Sequence, residues 1–273
     1  MERVLYERNG LYNSLPITGV ARTITDIMGI VAPRCAELPI SVVSASAKAA
    51  FRGGKADRVF MYNPDAVALW LFQKYTVLFE EAFLHSDIQI PLLSVMPSVT
   101  PVCFASMYTG ALPAVHGIQA YEKPVLKIDT VFDAVLRAGL KPAIVSTTND
   151  SMSRIFLERD MDYFIYNSHE ECNEKAMELI VADRHDLIVL YNGNYDNTMH
   201  HFGTESEKSL NELSENIKTY SKLVTQIERH WGNHRAMIGF CPDHGCHEID
   251  GGAGSHGLNM PEDMNIIHFY RFI

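Results

Sequence analysis

Short apolar runs that alternate with longer stretches of helical periodicity constrain the fold of this chain more than any other feature. Four runs are rich in Val, Ile, Leu and aromatic residues and have the length of buried strands, at 59–62, 143–147, 187–191 and 237–241. Between them, residues 129–138 and 210–231 repeat apolar side chains in steps of three and four, which is typical of helices with one buried face. Strands that alternate with helices predict an α/β fold with a mostly parallel sheet.

The two ends of the chain fit this alternation less well. Residues 21–30 have the pattern of a short helix, and residues 40–43 have that of a strand. Residues 265–273 are β-prone and are predicted to form a strand that closes the sheet. We expect one domain over residues 1–273, with the segment 1–54 as its least regular part.

Composition excludes several classes of protein. The 273 residues are enough for a full hydrophobic core. Asp and Glu number 33 against 23 Lys and Arg, so the net charge is −10 and no nucleic-acid polymer is expected as a partner. Five cysteines at irregular spacing favour a reducing compartment over a disulfide framework. The N-terminus has no apolar signal core, and no run reaches the roughly 18 apolar residues of a membrane span. These observations predict a cytoplasmic protein without membrane contact.

Asp and His side chains follow the predicted strands at the point where each strand ends. Six are of the kind that bind metals: Asp65, Asp196, His200, Asp243, His244 and His256. Because ligands bind outside the carboxyl ends of parallel strands, we expect these side chains to meet at one edge. Each alone has an ordinary alternative as a turn, cap or loop residue, so the prediction depends on their joint occurrence.

The number and chemistry of these six side chains indicate which metals they would hold. A catalytic zinc ion takes about three protein ligands, so six ligands fit two ions about 3.5–4 Å apart. Mixed carboxylate and imidazole ligands favour Zn²⁺, with Mn²⁺ as the alternative, over Mg²⁺ or Ca²⁺. The sequence therefore predicts two divalent metal ions as cofactors.

The segment 98–110 supplies a candidate nucleophile. Thr100 is predicted at the N-cap of a short helix, with Pro101 at its first position and Gly110 at its end. The free N–H groups and the dipole of such a helix would point at a phosphate. A Thr hydroxyl is a poor nucleophile unless a base or a metal activates it, and a plain capping role for Thr100 is the alternative.

Five motifs occur in an order that is known from one enzyme group. They are Asp65 after the first core strand, the segment 97–118 around Thr100, Asp196-x-x-x-His200-x-x-Gly203, Asp243-His244-Gly245 and His256-Gly257. Over roughly residues 55–273, the chain resembles the alkaline phosphatase superfamily, and within it the nucleotide pyrophosphatase/phosphodiesterase-like branch. The resemblance implies a three-layer sandwich, in which a mostly parallel central sheet is flanked by helices.

The resemblance also implies a role for each ligand-type residue. One ion would be held by Asp196, His200 and His256. The other would be held by Asp65, Asp243 and His244, with Thr100 as its exchangeable neighbour. By similarity, Thr100 attacks phosphorus in line, and water then hydrolyses the phospho-threonine intermediate. His116 in the segment around Thr100 is interpreted as structural.

The sequence departs from that family at several places. Many members carry Asn where this chain has Cys103, so Cys103 is a candidate substrate-binding residue, with a buried core residue as the alternative. The step of nine positions from His247 to His256 leaves no room for a large cap domain. The first 54 residues carry no motif that aligns with the family.

The resemblance and the local charge favour a two-metal hydrolase of phosphodiester or pyrophosphate-type bonds. No Arg or Lys lies next to Thr100 to bind a dianionic monoester, although Lys123, Lys127 or Arg154 could reach it from loops. A phosphomonoester or phosphonate hydrolase of the same superfamily is one alternative, and a metal-bound protein without turnover is the other. The expected partner is a small phosphorylated substrate, and the chain is expected to be a monomer or homodimer.

Overall fold

The computed structural model of the chain describes residues 10–273, so the charged N-terminal stretch 1–9 lies outside the described residues. The strands are β1 Arg58–Pro64, β2 Ile88–Leu93, β3 Pro142–Thr147, β4 Asp162–Tyr166, β5 Leu187–Asn192, β6 Ala236–Phe240, β7 His247–Ile249, β8 Ala253–Ser255 and β9 Asn265–Phe272. The helices are α1 Gly19–Met28, α2 Ser41–Ala50, α3 Leu69–Lys74, α4 Glu80–Leu84, α5 Thr100–Thr109, α6 Pro113–His116, α7 Val131–Arg137, α8 Met152–Ile155, α9 His169–Ala182, α10 Asn194–Phe202, α11 Glu207–His230 and α12 Pro261–Met264, with a 3₁₀ turn at Thr76–Phe79.

The main sheet has seven strands in the order β2-β9-β6-β1-β5-β3-β4. The pairs from β6 through β4 are parallel, whereas β9 runs antiparallel to both β2 and β6. The four strands predicted from apolar runs are confirmed as β1, β3, β5 and β6. The C-terminal strand β9 is also confirmed, but it lies inside the sheet rather than closing its edge.

Both faces of the sheet are covered by apolar side chains and helices. Along β1, Val59 and Met61 belong to one core cluster, whereas Phe60 and Tyr62 belong to the other. This alternation explains why the strand reads as a continuous apolar run, since both of its faces are buried. Helices α1, α2, α5 and α7 contribute to the first cluster, and α9 and α11 to the second. The predicted α/β sandwich with helices on both sides of a mostly parallel sheet is therefore confirmed.

The prediction of a strand at 40–43 is wrong, because α2 begins at Ser41. Val43 and Ala47, four positions apart, are 0% and 1% exposed and belong to the same core cluster as α1. Burial of this helical face, together with the Ser- and Ala-rich continuation, outweighs the local β-propensity of the two valines. The predicted helix at 21–30 is confirmed as α1, which Gly29 ends with a φ of 66°.

None of the helices within residues 10–273 has the length and apolar character needed to cross a membrane. The expectation of one domain over the whole chain, without a large cap, stays a prediction.

Candidate active site

Three neighbouring strands at the centre of the sheet deliver side chains to one edge. Asp65 directly follows β1, and Asp243 and His244 follow β6, which pairs with β1. Asp196 lies in the first turn of α10, which follows β5 on the other side of β1. His256 follows the β7–β8 hairpin. The structure thus brings all six ligand-type residues to the carboxyl ends of parallel strands, where ligands bind in such sheets.

Asp65, Asp243 and His244, here called the inner group, have ligand atoms that all lie within 4.8 Å of one another. The Nε2 atom of His244 lies 3.2 Å from Asp65 Oδ1 and 3.4 Å from Asp243 Oδ2. Their side chains are at most 1% exposed. Three ligand-type groups that share a dry position at two strand ends form a rigid candidate metal site.

Asp196, His200 and His256 are here called the outer group. Their ligand atoms also lie within 4.8 Å of one another. Asp196 and His200 are four positions apart on α10, so they lie on one face of the helix. Their Nε2 and Oδ1 atoms are 3.3 Å apart, and His256 Nε2 lies 3.4 Å from the same oxygen. The ring of His256 stacks on His244 of the inner group at a centroid distance of 4.1 Å, which places the two groups side by side.

The three histidines are held in the tautomer that suits a metal ligand. The Nδ1 atom of His200 donates to the Gly254 carbonyl, that of His244 to Gly245, and that of His256 to Ser98, each at 2.9 Å. A carbonyl only accepts hydrogen bonds, so each Nδ1 carries the proton and each Nε2 of a neutral ring has a free lone pair. Backbone carbonyls orient metal-binding imidazoles in this way.

Buried oxygen atoms without a hydrogen-bond partner test whether a cation fits. Asp65 Oδ1, Asp196 Oδ1 and Asp243 Oδ2 are fully buried without such a partner. The Nε2 atoms of His200 and His256 also face each other at 3.1 Å, although neither is a donor in the neutral tautomer. Buried polar groups are rarely left unpaired. Two cations, one in each group, would satisfy these convergent acceptor atoms.

The two groups differ in how the protein alters their acidity. Burial, followed by the charge of Asp196, raises the pKa of Asp65 to about 7, and burial with the nearby Asp65 raises that of Asp243 well above its ordinary value. Burial lowers the pKa of His244 to about 3. In the outer group, burial acts to raise the pKa of Asp196, but the neighbouring His200 and His256 outweigh it and hold that pKa low, while Asp196 raises the pKa of both histidines.

The Thr100 side chain lies against the inner group. Its hydroxyl donates to Asp65 Oδ2 at 3.2 Å and lies 3.3 Å from His244 Nε2. The helix α5 begins at Thr100, and Val99 with an extended backbone occupies the N-cap position. The prediction that Thr100 caps the helix is therefore off by one residue. This shift matters chemically, because the hydroxyl is directed at the carboxylates rather than used to cap its own helix.

The structure bears on two further expectations for the segment 98–110: free N–H groups at the start of the helix, and a substrate contact by Cys103. The N–H groups of Val102 and Cys103 both bond to the Val99 carbonyl at 3.0 Å, so these amides are not free to bind phosphate. Cys103 itself is 0% exposed, and its thiol accepts from Ser94 Oγ at 3.2 Å. This burial favours a core residue over a substrate contact. The helix end by Gly110, at a φ of 72°, is as expected.

His116 is in the structural position that was expected. Its Nδ1 atom accepts from the Ile118 N–H, and its Nε2 atom lies 2.9 Å from Ser106 Oγ. Burial lowers its pKa to about 4, which keeps the ring neutral at physiological pH. It connects α6 to α5 and is no part of either ligand group.

Sequence reasoning missed two residues that support the ligands. Tyr191 at the end of β5 donates its hydroxyl to Asp65 Oδ2 at 2.6 Å. Asp263 is 0% exposed and accepts from His247 Nδ1 and from the Leu258 N–H, so it ties the chain after the Asp243 motif to the chain after His256. In the sequence, Tyr191 looks like an ordinary strand residue and Asp263 like an acidic residue at the start of a helix. Neither pattern indicates that the residue supports the ligand groups.

A cavity of about 210 Å³ opens beside Thr100 and both groups. Its lining is polar and consists of Asp65, Thr100, Tyr121, Lys123, Thr147, Thr148, Asn149, Asp150, Ser151, Tyr191, Asp196 and Asn197. The residues at 147–151 form the end of β3 and the loop after it, which lies at the same sheet edge as the ligands. A phosphorylated molecule that reached Thr100 would contact these side chains.

Comparison with known proteins identifies the class of fold. A structure of murine ectonucleotide pyrophosphatase/phosphodiesterase 5 is 18% identical, with a TM-score of 0.57 over 71% of this chain and 58% of that chain. An inactive variant of the murine protein in complex with AMP is 17% identical, with a TM-score of 0.58 over 71% and 59%. The human protein is 19% identical, with a TM-score of 0.56 over 71% and 58%.

These matches confirm the predicted resemblance at the level of the fold. The chain shares the fold of these ectonucleotide pyrophosphatase/phosphodiesterase structures. It spans less than two thirds of the length of the solved structures that it matches. No family model matches the sequence, and no curated protein matches it either.

Proposed function

We propose that this chain is a metal-dependent hydrolase of phosphodiester or pyrophosphate-type bonds, with Thr100 as its nucleophile. The observation that carries the proposal is the position of the Thr100 hydroxyl, 3.2 Å from Asp65 Oδ2 and 3.3 Å from His244 Nε2, beside a second ligand-type group. A lone buried Thr would be inert at neutral pH. A Thr against two groups of metal-binding side chains is suited to phosphoryl transfer.

The ligand sets divide between the two ions as the chemistry of their donors suggests. Asp65, Asp243 and His244 would hold one ion, and Asp196, His200 and His256 the other, with Zn²⁺ favoured by the imidazoles and Mn²⁺ as the alternative. When bound, such ions supply positive charge that stabilises the attacking and leaving oxygens of an in-line displacement.

The side chains of the protein position and deprotonate the nucleophile. Asp65 Oδ2 accepts the Thr100 hydroxyl proton in a hydrogen bond, and Tyr191 holds the same carboxylate oxygen in place. Attack by Thr100 Oγ1 forms the new P–O bond while the bond to the leaving group breaks, which gives a phospho-threonine, and the leaving oxygen takes up a proton. Water then attacks phosphorus while the bond from phosphorus to Thr100 Oγ1 breaks. One proton of that water goes to Oγ1 and restores the Thr100 hydroxyl, and the phosphate-bearing product is released.

The structural neighbours support a phosphorylated substrate without naming one. They are described as nucleotide pyrophosphatase/phosphodiesterases, and one is in complex with AMP. Because identity is at most 19% and the match covers 71% of this chain, we extend only the class of reaction to it. The substrate is proposed to be small, since the cavity beside Thr100 measures about 210 Å³.

Hydrolysis of an aryl phosphodiester and of the matching monoester, after loading with zinc and with manganese, tests the proposal. We expect metal-dependent turnover that the Thr100→Ala variant lacks while it retains its metals. Turnover that persists in Thr100→Ala contradicts the nucleophile assignment. Two bound metals without turnover of any phosphate ester or pyrophosphate contradict the proposed activity and favour a binding protein.

A further inference from the structure

Lys123 brings a positive charge to a cavity whose other charged side chains are acidic. It lies in the segment after α6 and lines the cavity together with Thr100 and Asp65. Its ammonium donates to the Asn149 carbonyl at 2.8 Å and lies 5.2 Å from the ring centroid of Tyr121. These contacts hold the charge at the rim of the site rather than in free solvent.

The charge of Lys123 is not neutralised by a carboxylate. Within residues 10–273, none of the ion pairs includes Lys123. Lys127, four positions further along the same segment, instead pairs with Glu158 and lies outside this cavity. A partly buried ammonium that has only neutral partners retains its charge for a ligand, so the two lysines differ in what they offer.

Asp150, which follows the Lys123 partner Asn149 in the cavity wall, already has its own hydrogen-bond donors. Asp150 Oδ2 accepts from Ser146 Oγ and from the N–H and hydroxyl groups of Thr147, and its Oδ1 accepts from the Ser153 N–H. Donors from the end of β3 and from α8 therefore balance this carboxylate. Lys123 is left as the one unpaired cation among the lining residues of this cavity.

Tyr121 lines the same cavity as Lys123, together with Asp65 and Asp196 from the two ligand groups. Its side chain is 63% exposed, and burial, followed by the negative charges of Asp65 and Asp196, raises its pKa, so the phenol keeps its proton. Positions 121 and 123 thus bring a hydroxyl and an ammonium to the lining of one cavity, a pair of donors suited to anionic oxygens.

We propose that Lys123, with Tyr121 beside it, is a specificity-determining residue that binds a second negative charge on the phosphorylated substrate. The inference rests on the proposed function and concerns which phosphoryl charge the site recognises, namely that of a dianionic group. That group is either the one next to the reacting phosphorus, as in a pyrophosphate, or the reacting one itself, as in the alternative of a monoester. A simple monoanionic diester gains nothing from Lys123.

Rates with three substrates show whether the recognised charge lies on the reacting phosphoryl group or on the neighbouring one. With zinc-loaded protein, we expect Lys123→Met to lower kcat/KM for p-nitrophenyl phosphate or inorganic pyrophosphate about 10- to 100-fold, since a hydrogen bond to a charged group is lost. The rate with bis(p-nitrophenyl) phosphate should change less than about threefold. Loss with pyrophosphate alone places the recognised charge on the leaving group. Lys127→Met is the matched control and should change none of these rates, because an exposed ion pair contributes little.

Binding of inorganic phosphate, measured by calorimetry on the zinc-loaded proteins, gives a readout that does not depend on turnover. The dissociation constant should rise about tenfold or more in Lys123→Met, recover partly in Lys123→Arg, and stay unchanged in Lys127→Met. Equal phosphate affinity in Lys123→Met and the unaltered chain, together with equal rates on pyrophosphate, overturns this inference, even if hydrolysis depends on Thr100 as proposed. If the unaltered chain hydrolyses no substrate but binds phosphate in a way that depends on Lys123, the proposed function alone is overturned.

Discussion

The inner and outer groups use the same residue types but are built on different supports. Asp65 and Asp243 follow paired strands at the centre of the sheet, and the side chains of the inner group are at most 1% exposed. In the outer group, the Asp196 side chain is 14% exposed and that of His200 is 36% exposed. One set of ligands is therefore fixed by the core, and the other by a helix and a hairpin at the surface.

This difference determines the protonation state of each group when no ion is bound. The inner carboxylates have raised pKa values because burial penalises their charge. In the outer group, the charge of Asp196 is balanced by the two histidines that it makes more basic. An ion at the inner group must displace protons from oxygen, whereas an ion at the outer group competes with protonated imidazole.

Removal of an inner carboxylate should have the largest effect. We expect Asp243→Asn to lose one of two bound ions and to lower turnover at least about 1000-fold, because an ion contributes several kcal/mol to the transition state. Elemental analysis and initial rates measure both. Asp26→Asn, at a solvent-exposed helix pair with Arg22, is the control. Full retention of two ions in Asp243→Asn would show that the inner ligands are wrongly assigned.

Loss of an outer ligand should be less damaging, because water can replace a half-exposed imidazole. We expect His200→Ala to reduce turnover about 100-fold, equivalent to about 3 kcal/mol, and to weaken one ion selectively. His201→Ala is a close control, since that neighbouring side chain bonds to its own helix at Asn197. Equal losses in the two variants would remove the distinction between His200 and an ordinary surface histidine.

Support from Tyr191 should matter for the inner group only. Tyr191→Phe removes the hydrogen bond to Asp65 Oδ2. We expect inner-site zinc affinity to fall about tenfold, the size typical of a lost ligand support, with outer-site affinity unchanged. Competition with a chelator measures both. Tyr163→Phe, whose hydroxyl bonds to the Phe156 carbonyl, is the control. A change at both sites would argue for a general loss of structure.

The pH dependence of stability should distinguish the groups by a few degrees in Tm. In the metal-free protein, folded Asp65 has a pKa of about 7 against an ordinary value of 3.8, so the folded state retains protons that the unfolded chain releases. That contribution to stability is fully present below about pH 4 and is lost as the pH rises through 7. Burial lowers the pKa of His116, His244 and His268, which acts in the opposite direction over this range, so the comparison is made with Asp65→Asn. The Tm of the metal-free unaltered protein, relative to that of Asp65→Asn, should fall from pH 5 to pH 7. A relative Tm that stays flat or rises contradicts the raised pKa.

The sequence predicted most of the sheet because its central strands are buried on both faces. Such strands appear as continuous apolar runs, which is why β1, β3, β5 and β6 were found. The helix α2 was missed because its first residues, including Val43, are β-branched and only tertiary packing decides their conformation. The internal position of β9 was also missed, since pairing order depends on long-range contacts.

The ligand-type residues were predictable because each follows a strand end, and parallel strands bring those ends together. Their division into two groups came from the resemblance, and the structure places the same residues within 4.8 Å of each other. Tyr191 and Asp263 were not assigned, and Lys123 was named only as one of three cations that could reach Thr100, because these roles depend on contacts between distant segments. Whether either group binds a metal stays a prediction.

A crystal structure of the zinc-loaded protein, with anomalous scattering recorded at the zinc edge, tests the central claim most directly. The account predicts two peaks. One lies about 2.0–2.2 Å from the ligand atoms of Asp65, Asp243 and His244, and the other equally close to those of Asp196, His200 and His256. A single peak, or peaks bound by other residues, would contradict the two-group site on which the proposed chemistry depends.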